Sequence, residues 1–401
     1  MKFAAVCDIS EQIRGVTYAK RDASAAPKGG YSPMLRANNI GEHGLLLEDL
    51  IYVPNSKISL KQRIVPNDVV VAASSGSISV VGKTAQARQG FDGGFGAFCK
   101  VLRPGPDVDP HYFGHYFKTA SYRHVVSQLA AGVNINNLKK EHLDNLRIPL
   151  PPLAEQKRIA RILDAADALR AKRREALAQL DTLLQSTFLD MFGDPVTNSM
   201  GWEVEGFDNW LEKIDSGWSP KCLNRKAHVG EWGVLKLGAV TWCEFDQSEQ
   251  KALPPSLAPR PSLEVAPGDL LFARKNTHDL VAAVAYVHRV RPRLMLSDLI
   301  FRLRLKSGIE VKPVFLWHLL IQPKQRRAIQ KLAGGSAGSM PNISKAKLKT
   351  LKLIKPPVDL QQRFAAIAKA VEQQKTGQRA HLAELDTLFA SLQSDAFRGD
   401  L

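Results

Sequence analysis

The tetrapeptide Leu-Asp-Thr-Leu at residues 180–183 occurs again at residues 385–388, so the chain carries one short sequence twice, 205 positions apart (385 − 180). The proline pair at 151–152 recurs at the same separation, as residues 356–357. A repeat at a fixed separation is typical of structural units that share one plan. We therefore expect two similar halves, with the elements in the order domain, helix, domain, helix.

The residues after each proline pair have the periodicity of an amphipathic helix. Apolar side chains recur every three or four positions along most of residues 153–191, and again along most of residues 364–392. The prolines before Leu153 disfavour an earlier start, and Gly193 with Pro195 ends the first helix. The first helix is therefore predicted to have about 40 residues and a length of roughly 60 Å, at about 1.5 Å per residue.

Two similar apolar stripes in one chain can cover each other. If a two-fold axis relates the halves, the helices pack as an antiparallel coiled coil and the globular domains lie at opposite ends. The alternative is that each helix docks only on its own domain. The residues predicted to pack between the helices are Ile159, Ile162, Leu169, Leu180, Leu184, Phe364, Ile367, Val371, Leu385 and Phe389.

The globular halves contain signals for both strands and helices. Apolar, β-branched runs predict strands at 69–73, 78–81, 270–273 and 281–287. Segments 111–129 and 314–332 each begin just after a proline and predict helices. The expected fold class is α+β, with two repeated domains that are each followed by a long helix. The predicted boundaries are a first domain at 1–150, a central helical spacer at 151–194, a second domain at 195–355 and a C-terminal helical spacer at 356–401.

The net charge of +16 is unevenly distributed along the repeat. Residues 1–150 hold 18 Lys and Arg against 12 Asp and Glu, and residues 195–355 hold 25 against 14. The two helical segments are close to neutral, with 7 against 7 and 5 against 6. Because Lys and Arg drive affinity for phosphates, this distribution favours two domains that bind a polyanion, whereas a generally basic soluble protein is the alternative.

Two loops occupy matching positions in the repeat but differ in residue type. They follow the predicted strands at 69–73 and 270–273, and Arg, Lys and Asn side chains can distinguish base edges. The candidate DNA-binding residues are Ser74, Ser75, Ser77, Lys83, Arg88, Arg274, Lys275, Asn276 and His278. A basic run in the first helix is a candidate for DNA backbone contact, or else a solvated face, and consists of Lys172, Arg173 and Arg174.

No convincing catalytic or metal site emerges from the sequence. Gly76 and the Gly-Lys-Thr at 82–84 are separated by five residues, whereas a phosphate-binding loop requires four. His111 and His115 have the spacing of a zinc pair, but Tyr112 stands where a metalloprotease has its general base. The four cysteines lack metal-finger spacing. We therefore expect a non-catalytic chain without metal or cofactor.

The lengths of the apolar runs indicate where in the cell the protein is expected. The longest of them, residues 280–287, falls far short of the roughly 18 residues that a membrane span requires. The first residues are too short an apolar stretch for a secretory signal. A cytoplasmic location is expected.

The segment IPLPPLAEQKRI at residues 148–159, followed by a long helix to MFGDP at 191–195, closely resembles the central region of type I restriction-modification specificity subunits. The second copy, KPPVDLQQRF at 355–364, is more divergent: Leu360 replaces Glu155, whereas Gln361 keeps the place of Gln156. The resemblance covers the whole chain, because the plan of two target recognition domains separated by helical spacers matches as well.

This resemblance implies a non-catalytic subunit that reads a bipartite, asymmetric site in double-stranded DNA. In that family each recognition domain reads one half-site, and the antiparallel helices set the number of unspecified bases between them. The helices also dock two methyltransferase subunits, which bind S-adenosylmethionine and flip the target adenine. An endonuclease and translocase subunit can join. The sequences of the half-sites do not follow from the resemblance.

Two other classes of function remain open on the residues alone. One is an enzyme that modifies DNA by itself, and binding of S-adenosylmethionine or nicking by the purified chain would identify it. The other is a non-enzymatic protein that bridges DNA, which would bind DNA without recruiting a methyltransferase. Co-purification with a methyltransferase distinguishes these classes from a specificity subunit.

Overall fold

The structure is a computed structural model, and it describes residues 2–129, 136–334 and 340–401. The chain forms two compact units, one of Met1–Glu175 with Arg379–Leu401 and the other of Ala176–Gln378. Each unit combines a globular α+β part with segments of two long helices. Among the described residues, none of the helices combines the length and the apolar character that a bilayer crossing requires.

The first unit holds eleven of the described strands and four short helices. The strands are β1 (Phe3–Ala5), β2 (Ser10–Arg14), β3 (Tyr31–Leu35), β4 (Ile51–Pro54), β5 (Asp68–Ala72), β6 (Ser74–Ser75), β7 (Thr84–Ala87), β8 (Gly94–Phe95), β9 (Cys99–Pro104), β10 (Asn136–Asn137) and β11 (Arg147–Pro149). The short helices are α1 (Val6–Ile9), α2 (Pro110–Tyr116), α3 (Ala120–Leu129) and α4 (Lys140–Asp144). The long helix α5 (Leu153–Phe192) begins in this unit.

The second unit repeats this succession. Its strands are β12 (Glu203–Gly206), β13 (Leu211–Ser216), β14 (Gly233–Leu235), β15 (Gln250–Ala252), β16 (Leu270–Ala273), β17 (Val284–Tyr286), β18 (Leu294–Met295), β19 (Ile300–Leu305) and β20 (Lys352–Lys355). Its short helices are α6 (Phe207–Trp210), α7 (Gly238–Thr241), α8 (Pro313–Ile321), α9 (Pro323–Gln330) and α10 (Lys345–Lys349). The long helix α11 (Val358–Arg398) begins in this unit.

The sheets of the two units have the same strand order. A four-stranded antiparallel sheet runs β2-β9-β5-β7 in the first unit and β13-β19-β16-β17 in the second. A three-stranded sheet runs β4-β3-β8 and β15-β14-β18, with one parallel pair in each case. The strand pairs β1-β11 and β12-β20 also correspond. The prediction of two repeated α+β halves is confirmed.

The central strands β5 and β16 are buried on both faces. In β5, Val69 and Val71 belong to the core that contains α2, and Val70 and Ala72 belong to the core beneath the three-stranded sheet. The residues of β16 alternate between two cores in the same way. Continuous apolar sequence is the expected pattern for a strand that is covered on both sides. These two strands therefore hold the loops that follow them on a rigid base.

Some predicted elements are wrong in extent. Residues 78–81 were expected to form a strand, but they form a turn in which Val80 N and Val81 N donate to Ser77 O. The strand predicted at 281–287 shrinks to Val284–Tyr286, because Ala282 has a positive φ of 62°. The two long helical predictions each divide into two helices, α2 with α3 and α8 with α9, the second pair separated before Pro323.

The two long helices pack together and run antiparallel. In the first unit, Arg170 Nε of α5 donates to Asp386 Oδ1 of α11 at 2.6 Å. In the second unit, Lys375 Nζ of α11 donates to Asp181 Oδ1 of α5 at 2.5 Å. From Arg170 to Asp181 along α5, the partner in α11 moves back from Asp386 to Lys375, so the helices are antiparallel and the predicted packing is confirmed. Each helix segment also enters the core of its own unit, so docking on a globular part accompanies the helix pairing and does not replace it.

A buried glutamine fixes the start of each long helix. Gln156 Oε1 accepts from the backbone N–H of Asp109, and its Nε2 donates to Pro151 O, both at 2.8 Å. Gln361 makes the matching contacts, accepting from Lys312 N at 2.9 Å and donating to Pro356 O at 2.8 Å. Asp109 and Lys312 are the residues that precede α2 and α8. The repeated proline pair and glutamine therefore join each long helix to a helix of its globular part.

Candidate nucleic-acid interface

The candidate loop of the first unit follows β5 and is held by a short strand pair. Ser74 and Ser75 pair antiparallel with Asn137 and Asn136. The backbone N–H of Leu138 donates to Ala73 O at 2.8 Å. The hydroxyl of Ser77 is exposed and lies 2.8 Å from that of Ser79. The loop thus presents small hydroxyl side chains on a braced backbone.

The candidate loop of the second unit has the same bracing with different residue types. Lys275 forms an antiparallel bridge with Asn342, and Ile343 N donates to Arg274 O at 2.8 Å. Arg274 Nε also donates to the side-chain oxygen of Asn342 at 3.1 Å. Its guanidinium lies 5.0 Å from the ring centre of Phe301. Arg274 therefore supports the loop as well as carrying a cationic side chain to its surface.

The remaining residues of this loop differ in exposure. Asn276 is only 5% exposed, its Oδ1 accepts from Thr277 N at 2.8 Å, and its Nδ2 lies 3.4 Å from Thr241 Oγ1. The His278 side chain is 79% exposed. Among these loop residues, His278 is open to solvent and Lys275 is of intermediate exposure, whereas Asn276 shapes the loop from inside.

The other basic candidates of the first unit lie apart from each other. Lys83 is exposed in the turn that precedes β7. Arg88 lies after the far end of β7, where its guanidinium forms an ion pair with Asp164 of α5. The structure therefore places Lys83 near the loop at 74–77 and directs the Arg88 charge toward the long helix.

The carboxylate of Asp164 in α5 contacts three side chains of the globular part. Besides Arg88, His111 Nδ1 lies 2.5 Å from its Oδ2, and His115 Nε2 lies 2.8 Å from its Oδ1. Burial raises the pKa of Asp164, but the bonds from His115, His111 and Arg88 outweigh it and hold this pKa well below its usual range. Burial lowers the pKa of His115, although the bond to Asp164 acts in the opposite direction. The two histidines whose spacing resembles that of a zinc pair thus share one carboxylate.

No group of three or more metal-ligating side chains occurs within residues 2–129, 136–334 and 340–401.

The basic run of α5 is partly engaged in helix pairing. Lys172 is exposed, Arg173 is half-buried, and Arg174 Nη2 lies 3.3 Å from Asp386 Oδ1. Of these three side chains, Lys172 is the most open to solvent.

The residues predicted to pack between the helices fall into three groups by exposure. Those that are buried are Ile159, Leu184, Phe364, Val371 and Phe389. Those of intermediate exposure are Ile162, Leu180 and Leu385. Leu169 is 52% exposed and Ile367 is 39% exposed, whereas Leu163, which the prediction omitted, is fully buried.

Sequence reasoning missed the asparagines that brace the two loops. Asn137 and Asn342 are 205 positions apart (342 − 137), the separation that the proline pairs already show. Extending that separation upstream from the prolines would have identified them. It also missed Asp164 and Lys375, since nothing local marks either residue as a partner of the globular part.

Comparisons with known proteins agree with this geometry. The family model described as "Type I restriction modification DNA specificity domain" matches residues 1–179. The type I restriction enzyme EcoKI specificity subunit of Escherichia coli (strain K12) is 32% identical, over 99% of this chain and 88% of that protein. The StySPI specificity subunit of Salmonella potsdam is 29% identical over the same shares.

A solved structure shows the same fold. The S subunit of a type I restriction-modification system from M. genitalium aligns with a TM-score of 0.54 at 15% identity, covering 99% of this chain and 96% of that one. Two braced loops on repeated α+β units thus occur in a chain whose relatives are specificity subunits. Because an identity of 32% extends over 99% of its residues, this chain belongs to the DNA specificity subunits of type I restriction-modification systems.

Proposed function

We propose that this chain reads a bipartite, asymmetric DNA site, with one half-site for each target recognition domain. The domains are residues 1–150 and 195–355. The observation that carries the proposal is that the two units share one strand order, while their corresponding loops differ in residue type. Different side chains on one scaffold read different base edges, so the two half-sites differ in sequence.

The loop chemistry supports different modes of reading. In the second domain, Lys275 and His278 offer hydrogen-bond donors for base edges, and Arg274 offers a guanidinium beside them. In the first domain, Ser74, Ser75 and Ser77 offer short hydroxyls that act as donors or acceptors, and Lys83 adds a charge. We assign Arg88 and Asn276 to support of the fold, because their polar groups already contact the protein.

The charges supply affinity that does not depend on sequence. The first domain carries a net charge of +6 and the second +11, from the counts of Lys and Arg against Asp and Glu. Neutralisation of phosphates by such charges accounts for much of DNA affinity. The spacer helices at 151–194 and 356–401 are nearly neutral and fit contacts with protein subunits. Lys172 of the basic run is the best placed of its three residues for a phosphate.

The chain acts within a larger complex in this proposal. Two methyltransferase subunits dock on the spacer helices and supply S-adenosylmethionine and the methylation chemistry, and an endonuclease and translocase subunit can join them. The chain itself contributes position and sequence recognition. The separation of the half-sites follows from the helices and is about one turn of B-DNA or slightly more, since one turn spans about 34 Å.

Methylome sequencing tests the assignment of half-sites to domains. The double variant Lys275→Ala with His278→Ala, produced with its methyltransferase, should relax the half-site of the second domain and leave the other half-site unchanged. Loss of one good base contact lowers discrimination at that position by about 1–3 kcal/mol. Lys369→Ala, an exposed change on α11, serves as the control. Relaxation of both half-sites to the same degree would contradict the assignment.

A second experiment tests the spacer helices. Insertion of four residues after Ala178, about one helical turn, should lengthen the unspecified spacer and leave both half-sites unchanged. The methylome of a host that carries the insertion gives both quantities. Changed half-site sequences would count against the proposed role of the helices. Methylation or nicking by the purified chain alone would instead identify a stand-alone enzyme.

A further inference from the structure

Lys375 is a buried cation at a junction of three elements in the second unit. It lies within α11 and is only 3% exposed. Its Nζ is 2.5 Å from Asp181 Oδ1 of α5 and 2.6 Å from Glu244 Oε1 of the globular part. Glu372 Oε2 lies 3.8 Å away on the same helix. One ammonium group therefore ties the two long helices to the second recognition domain.

Among the described residues, the corresponding cation in the first unit forms ion pairs only with carboxylates of the long helices. Arg170 is the counterpart of Lys375, as Asp386 is of Asp181, by the separation of 205 (375 − 170 and 386 − 181). Arg170 pairs with Asp386 and Asp167, both on the long helices, and its guanidinium lies 4.3 Å from the ring centre of Phe389. The contact with Glu244 is thus an addition to a repeated helix pair.

Glu244 is held in place by its own loop. The preceding residue, Cys243, has a positive φ of 62°, a conformation that a residue with a side chain adopts only when its surroundings impose it. The carbonyl of Cys243 accepts from Trp317 Nε1 at 3.2 Å. A cavity of about 520 Å³ lies beside the loop and is lined by Trp242, Glu244 and Lys375, among others. The ion pair with Lys375 joins this loop to the helices across the edge of that cavity.

The second domain also contacts α11 at another level. Phe364 is fully buried near the start of the helix, 5.1 Å from the ring of His318 in α8. Lys375 is eleven residues later, which is about 16 Å along the helix at about 1.5 Å per residue. Apolar packing has little directional preference, whereas a charged pair with hydrogen bonds fixes an orientation. Two contacts separated by this distance set the angle of the domain on its helices.

We propose that Lys375, through Glu244, is a positioning residue that fixes the angle of the second recognition domain on the spacer helices and so restricts the accepted half-site separation. This inference rests on the proposed bipartite function. A domain that is free to tilt accepts a half-site displaced by one base pair, a shift of about 3.4 Å along the duplex. The half-site sequence itself is read by the loop at 274–278 and does not change.

The test compares DNA duplexes that carry both half-sites at the native separation, or one base pair shorter or longer. Methylation rates are measured with the chain in complex with its methyltransferase. In Glu244→Gln and Lys375→Met, we expect the preference for the native separation to fall about tenfold, equivalent to about 1.4 kcal/mol. Lys375→Arg keeps the charge and should restore most of the preference. Tryptophan fluorescence confirms that each variant is folded.

Arg170→Met is the matched control, because it removes the equivalent cation, whose ion pairs within residues 2–129, 136–334 and 340–401 are with Asp167 and Asp386 of the long helices. It should leave the preference for the native separation unchanged. An equal loss in Arg170→Met, or a full preference in folded Glu244→Gln, would overturn the inference and leave the bipartite function standing. If the unaltered complex shows no preference among the three separations, the proposed function itself fails.

Discussion

The two units share a strand order but attach to the long helices through opposite charges. In the first unit the carboxylates belong to the helix. Asp164 contacts Arg88 and two histidines, and Asp167 Oδ2 lies 3.1 Å from Lys118 Nζ. In the second unit the helix supplies the base, Lys375, and the globular part supplies Glu244. The apolar pattern thus determines the repeated fold, and the charges distinguish one docking site from the other. We expect the two domains not to be interchangeable on their helices.

The largest loss of unfolding free energy is expected from removal of the charge of Asp164. Asp164→Asn leaves Arg88 without its carboxylate and weakens the bonds to His111 and His115, so the first unit should lose about 3 kcal/mol of its unfolding free energy. The side chain is 24% exposed, so solvent compensates only in part. Hydrogen exchange of α2 in the first unit measures the loss.

The comparison between units supplies two controls for this variant. All six tryptophans, residues 202, 210, 218, 232, 242 and 317, lie in the second unit, so their fluorescence reports its unfolding and should not change. Lys369 is the counterpart of Asp164 (369 − 164 = 205) and is exposed, and Lys369→Gln should have no effect on either unit. Equal destabilisation of both units by Asp164→Asn would contradict separate docking.

A smaller loss of unfolding free energy is expected at the buried glutamine contact that the two units share. Gln361→Ala removes the acceptor for Lys312 N and a donor to Pro356 O, and Gln361 is fully buried. Leaving buried polar groups without partners costs about 2 kcal/mol. Tryptophan fluorescence during chemical denaturation should show this loss in the second unit.

Gln156→Ala is the matched change in the first unit, since Gln156 makes the corresponding contacts. It should leave the tryptophan transition in place and increase hydrogen exchange at α2. If either glutamine can be replaced without loss of stability, the buried amide is not what joins the long helix to its domain.

The sequence predicted the features that depend on local signals. Proline and glycine bound the first helix, and α5 begins at Leu153 and ends at Phe192, as expected. The strand predicted at 78–81 failed because a short apolar run fits a partly buried turn as well as a strand. Val81, the one fully buried member, packs in the same core as α2.

Features that depend on distant residues could not be predicted. Arg88 and Asp164 are 76 positions apart (164 − 88), and Lys375 and Glu244 are 131 apart (375 − 244). Pairs at such separations follow from the tertiary fold, and with a single sequence no covariation reveals them. The loops after β5 and β16 could be placed from the repeat, but the burial of Asn276 required the structure.

The smallest change in stability is expected at one of two histidines that occupy matching positions, His115 and His318 (318 − 115 = 203). His115 contacts Asp164, whereas His318 Nε2 is buried and makes no hydrogen bond to any described residue. Burial, Lys375 and His288 lower the pKa of His318 to about 3. His318 is only 4% exposed and is therefore neutral in the folded chain at ordinary pH.

The sign of the pH dependence follows from this depressed pKa. The unfolded chain binds a proton at His318 below about pH 6.5, and the folded chain does not until about pH 3, so stability falls as the pH drops below 6.5. At pH 5.5 this group should cost the second unit about 1 kcal/mol relative to pH 7.5. His318→Phe keeps a ring beside Trp317 and Phe364 and should remove this part of the pH dependence, as measured by tryptophan fluorescence.

His115→Phe makes the contrast between the units complete. It breaks the bond to Asp164 and should destabilise the first unit already at pH 7.5, where His318→Phe should have little effect on the second. Hydrogen exchange of α2 and tryptophan fluorescence, recorded at pH 7.5 and 5.5, separate the two changes. A pH dependence that is unaltered in His318→Phe would show that the unpartnered ring nitrogen does not contribute to the acid sensitivity of the second unit.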